Sequence, residues 1–112
     1  MTEKISEIKF TIKLDDKDLP KKIKWNASDS NFKGEKECKS MQISIWDKEE
    51  KITMGIDLWT NEMTVDEMNI HFYQIFQKMS DTYLRSTSNN DISKMIKKFA
   101  DDFAKKCNEE NK

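Results

Sequence analysis

His71 is the only histidine among 112 residues, and it stands one helical turn after Glu67. A carboxylate and an imidazole at that spacing could share acid–base work. No nucleophile stands beside them in the chain, and a boundary histidine hydrogen-bonded to Glu67 is the plainer reading. Cys38 and Cys107 are far apart. With one histidine they form no zinc-ligand spacing. In a reducing compartment they are expected to stay free thiols. Asp15, Asp16 and Asp18 cluster as calcium ligands do, but the glycine and the closing glutamate of a calcium loop are missing. "SNFKGEK" holds a single glycine and is no phosphate cradle. No catalytic residue, metal site or cofactor is expected.

The residues that remain are tryptophans. "QISIWDKEEKITMGIDLWT" reads as two alternating strands around a charged turn. Met41, Ile43 and Ile45 share one face of the first strand; Ile52, Met54, Ile56 and Leu58 share one face of the second. Directly opposed residues lie on the same face, so the apolar sets must be in phase. The simplest register sets Ile45 against Met54 and Ile43 against Ile56, with "KEEK" as the turn. Trp46 then opposes Thr53, and Trp59 opposes Ser40. Both indoles lie on the otherwise polar face, about 20 Å apart at about 3.3 Å per residue. Ser44 and Gly55 lie between them, and a mid-strand glycine marks a bulge or a close backbone approach. Two readings stand side by side. Each indole is covered by its own chain, by residues 29–39, the charged turn or lysine stems; or the face is a contact surface, since tryptophan is enriched at interface hot spots. The candidate binding residues are Trp46, Trp59, Asp57, Ser44 and Gly55.

The elements that must position this face follow from periodicity. "ISEIKFTIKL" alternates, with Ile8, Phe10, Ile12 and Leu14 in phase. "DDKDLP" is a turn, and "KKIKWNA" alternates again with Ile23, Trp25 and Ala27 in phase; Trp25 is expected in the core. Residues 29–39 show no period and read as a loop, with at most a turn of helix near Lys36. A first helix is capped by Thr64 with Glu67, a capping box. Its apolar stripe is Val65, Met68, Phe72, Ile75, Phe76, Met79 and Tyr83, with a weaker stripe of Ile70, Tyr73 and Leu84. "STSNND" offers several N-caps, with Asn90 expected to cap a second helix. Ile92, Met95, Ile96, Phe99, Phe103 and Cys107 share its face. Lys97 with Asp101, and Asp102 with Lys106, stand at i,i+4 on its solvated side. "NEENK" reads as a frayed tail. The expected fold is α+β: a four-stranded antiparallel meander followed by two C-terminal helices packed on one face. That packing would bury the faces of Ile8, Ile43 and Ile56, and Met68, Met79 and Met95 read as packing residues.

The chain has the length of one domain, 1–112. Charged residues make up 37% of it and nearly cancel to a net −1, so nothing steers it towards nucleic acid. There is no apolar run of signal-peptide or membrane-span length. A cytoplasmic protein without membrane insertion is expected.

"SEIKFTIKLDDKDLPKKIKWNASD", "IDLWTNEMTVDEM" and "KMSDTYLRST" together resemble the gliding motility protein GldC family. The resemblance runs over residues 6–103, and its most specific part is 56–68. It implies a small cytoplasmic accessory protein, not an enzyme, without cofactor or assigned active site. It also implies protein partners in the gliding machinery and in the type IX secretion system on which gliding depends. The family motif includes the residues matching Trp46, Asp47, Asp57, Trp59, Asp66 and Glu67. A second reading is a small oligomeric export chaperone resembling SecB in outline, a fold analogy only. An enzyme using Glu67 and His71 ranks third. A homo-oligomer formed through the tryptophan face is compatible with the first two.

Overall fold

A computed structural model describes residues 3–110. Five strands precede two helices: β1 (Ile8–Leu14), β2 (Pro20–Ala27), β3 (Lys36–Cys38), β4 (Ser40–Trp46), β5 (Thr53–Trp59), α1 (Val65–Thr87) and α2 (Asn90–Glu110). The α+β class and the antiparallel pairing agree with expectation, while the single four-stranded sheet does not. There are two sheets, β1-β2-β3 and β4-β5. The extra strand, β3, lies in the segment expected to be a loop. It has no apolar alternation of its own, and pairing with β2 makes it a strand: Trp25 faces Lys36 and Ile23 faces Cys38. The chain bends at Lys39, between β3 and β4, and changes from one ladder to the other. By spatial contact the chain divides into two compact units, one ending at Met63 and the other beginning at Thr64.

In the strand unit, β1 and β2 place Ile12 against Ile23, Phe10 against Trp25 and Ile8 against Ala27. Ile23 is fully buried and is the centre of this face. Trp25 is only half-buried, and Phe32 packs edge-on against it with ring centroids 5.2 Å apart. The Lys36 ammonium lies 5.1 Å from the Phe32 centroid, within cation–π range. The opposite face is basic, with Lys13 directly across from Lys22 and Lys24 across from Glu37. Asp15 orders the first turn. Its Oδ1 accepts from the backbone N–H groups of Lys17 and Leu19, at 2.8 and 3.0 Å.

The helical unit is an antiparallel hairpin. Thr64 and Glu67 form the expected capping box: Thr64 Oγ1 accepts from the Glu67 N–H, and Glu67 Oε1 from the Thr64 N–H, each at 3.1 Å. Ser88 ends α1 in a left-handed conformation. The second cap falls one residue earlier than expected. Asn89, not Asn90, accepts from the Ile92 N–H through its side chain. Of the five residues expected to form a frayed tail, those up to Glu110 are helical and the last two lie outside the described residues. Phe76 packs edge-on against Phe99 and Phe103, at 5.1 and 5.2 Å. Ala100, Ser80 and Ser93 are buried, and their small side chains let the helices close. The two serines satisfy one another: Ser80 Oγ donates to the Ser93 carbonyl at 2.8 Å and Ser93 Oγ to the Ser80 carbonyl at 2.9 Å. On the outer side of α2 an ion pair joins Lys98 to Asp102 at 2.8 Å.

The apolar faces are more open than the sequence implies. Ile8 is 70% exposed and Ile56 50%. Met79 and Met95, expected as packing residues, are exposed as well. An alternating pattern says that a face is apolar; it does not say that the chain itself supplies the cover.

Candidate protein-binding surface

The β4–β5 hairpin forms in the expected register. Ile45 pairs with Met54, Ile43 with Ile56, Ser44 with Gly55, Trp46 with Thr53 and Trp59 with Ser40. The turn closes through Asp47: its N–H donates to the Ile52 carbonyl, and its Oδ2 accepts from the N–H groups of Glu49 and Glu50. Lys51 takes a left-handed φ of 57° to complete the reversal.

Both indoles stand in solvent. Trp46 is 65% exposed and Trp59 57%, so the reading in which its own chain covers each indole does not hold. Between them run Ser44, Gly55, Gln42 and Asp57, a low floor flanked by two large flat rings. Gly55 interrupts nothing. The ladder runs through it without a bulge, and an added Cβ would meet only the Ile43 carbonyl oxygen at 3.5 Å and Asp57 Oδ2 at 3.7 Å. The opposite face of the hairpin is half open too, with Ile45, Ile52, Met54 and Ile56 all exposed.

The structure groups the candidates unevenly. Asp57 and Trp59 line a groove of about 640 Å³ whose far wall is the β1–β2 turn, with Asp15, Leu19, Pro20 and Lys21. Trp46 lies at the other end of the hairpin, outside that groove. Sequence reasoning misses the far wall. Its only local signal is Leu19, an apolar residue in a charged turn, which is 57% exposed. Nothing in the sequence says that this turn comes back beside β5.

The acid–base candidates belong to the helical unit. Glu67 Oε1 is engaged by the Thr64 N–H and hydroxyl. His71 Nε2 is buried without a hydrogen-bond partner. In the strand unit, burial pushes the Cys38 thiol pKa above its ordinary value and the charge of Glu37 adds to this, against a backbone hydrogen bond from Ser40 that lowers it. Both cysteines are free thiols. Among the described residues no helix is long and apolar enough to cross a membrane.

Strands segregated from helices, with an exposed aromatic pair on the hairpin, define a small α+β protein. The model of the gliding motility-associated GldC-like family matches residues 20–109, most of the chain. The chain belongs to that family, which is not known for enzymes. No curated protein and no solved structure matches it.

Proposed function

We propose that this chain is a non-enzymatic accessory protein of the gliding machinery and its linked type IX secretion system, working in the cytoplasm. It binds a protein partner through the outer face of the β4–β5 hairpin. The observation that carries this reading is the exposure of Trp46 and Trp59 on one hairpin face, with the small pair Ser44 and Gly55 between them. Burying exposed indoles is strongly favourable, and tryptophan is the residue most enriched at binding hot spots. Asp57 supplies a carboxylate beside Trp59 for orientation.

A pull-down from lysate of a gliding bacterium tests this, comparing wild type with a Trp46→Ala, Trp59→Ala double variant whose fold is checked by circular dichroism. One or two gliding or secretion components held only by wild type is the expected result. Retention of the same proteins by both forms refutes it. The half-exposed Ile45, Met54 and Ile56 on the opposite face favour a second reading, a chaperone for exported clients. That reading predicts a broad catch of unfolded chains, little changed by the tryptophan substitutions.

A further inference from the structure

Among the described residues β5 is hydrogen-bonded to β4 alone, so its other edge is unpaired, although the start of β2 comes close to it. The phase of the ladder tells which groups lie on that edge. The Asp47 N–H donates to the Ile52 carbonyl, and the Thr60 N–H to the Lys39 carbonyl. Hydrogen-bonded pairs recur every second residue, so Met54, Ile56 and Leu58 direct their backbone groups at β4. Thr53, Gly55, Asp57 and Trp59 direct theirs outward. Natural edge strands are guarded by lysines, prolines or bulges. β1, the outer strand of the other sheet, carries Lys9, Lys13 and a register break between Lys13 and Leu14. β5 carries none of these; Asp57 is its single charge. The groove beside it is lined by three consecutive residues of the strand, Asp57, Leu58 and Trp59.

We propose that β5 pairs with β5 of a second copy of this chain, antiparallel about a two-fold axis at Ile56. The strand is self-complementary in this register. Gly55 meets Asp57 of the second copy and Thr53 meets Trp59, all through outward-facing groups, while the two Ile56 residues form the central non-hydrogen-bonded pair. Shifting the axis to Asp57 would set two carboxylates directly opposite each other, which is unfavourable. Shifting it to Gly55 loses overlap. Centred on Ile56, four reciprocal pairs give about eight interchain hydrogen bonds, near the number a typical interface carries. Side chains agree with this register on both faces. Ile43–Ile56 is continued by Ile56–Ile43 of the second copy, and Met41–Leu58 by Met54–Ile45, as unbroken apolar rows. On the other face Trp59 and Trp46 of the second copy flank one threonine, about 10 Å apart instead of about 20 Å within a chain. This association uses the hairpin's edge, so it stands whether or not the tryptophans bind another protein.

Cross-linking tests it on the full chain with Cys38→Ser and Cys107→Ser. Ile56→Cys puts the two introduced thiols on a non-hydrogen-bonded pair, with Cα atoms about 4.5 Å apart, within disulfide range. Mild oxidation is expected to convert the protein to a covalent dimer. Ile43→Cys, at the centre of β4, is expected to stay monomeric on the same treatment. Light scattering should give wild type twice 13.3 kDa, and Ile56→Lys should weaken the dimer at least about tenfold by opposing two like charges. If Ile56→Lys fails to fold, Gly55→Pro removes an outward N–H that the β4 ladder does not use. A wild-type monomer at every concentration overturns the proposal. So does cross-linking at residue 43 in place of 56, which would place the contact on β4, or a dimer that the edge variants leave unchanged. A chain that stays monomeric and binds an extended segment of another protein on β5 overturns the choice of occupant.

Discussion

Trp46 and Trp59 show how a residue type acquires meaning from exposure. More than half of each side chain stands in water, so truncation removes little intramolecular packing. Trp46→Ala and Trp59→Ala should each shift the unfolding free energy by no more than about 0.5 kcal/mol, the range of exposed positions. Urea titration checks this. If the face is a hot spot, the same variants should weaken partner binding at least about thirtyfold. Cys38 makes a second point at this scale. Its thiol pKa is raised, chiefly by burial, so its contribution to stability is fully present below the ordinary thiol pKa and is lost as pH rises through the raised value. Wild type should therefore lose more of its urea midpoint than Cys38→Ser when taken to strongly alkaline pH. In the folded state at mildly alkaline pH, Cys38 should alkylate several-fold more slowly than in the unfolded chain, which mass spectrometry resolves.

At the scale of elements, ends and turns carry the testable energetics. Thr64 satisfies an orphan N–H at the start of α1 and its own N–H is satisfied by Glu67. Thr64→Ala should cost about 1 kcal/mol in thermal or urea unfolding. In the hairpin turn Lys51 holds a left-handed φ that an L side chain adopts at a cost. Lys51→Gly relieves that cost and should stabilise the protein by up to about 1 kcal/mol after the greater freedom of glycine in the unfolded chain is counted. The hairpin is legible in the sequence because the apolar phase and the four-residue turn leave one simple register. β3 is not, because Lys36, Glu37 and Cys38 have no pattern of their own and become a strand by bonding to β2. Asn89 and Asn90 are chemically identical caps. The left-handed Ser88 that ends α1 determines which of them falls at the helix start.

For the whole molecule the prominent feature is unspent apolar surface. Ile45, Met54, Ile56, Met95 and Phe99 are all exposed. If β5 joins two copies, folding and association are linked and stability depends on concentration. The thermal midpoint of wild type should rise as protein concentration is raised, while that of Ile56→Lys should not. A scanning calorimeter run over a concentration series reads this directly. Near-neutral net charge, −1 over 112 residues, offers little long-range repulsion between copies.

By itself the sequence determined the α+β class, the antiparallel pairing, the hairpin register, the capping box and the family, because each of these rests on local periodicity, local hydrogen bonding or motif order. It also singled out Trp46, Trp59 and Asp57, since alternation alone places them on the polar side of an apolar ladder. Only the tertiary structure decided that there are two sheets divided at Lys39, that both indoles are open to water, and that Leu19 and Pro20 return to form a groove beside Trp59. Those features depend on which distant segments meet and on how much surface their meeting covers. A pattern read along one strand contains neither.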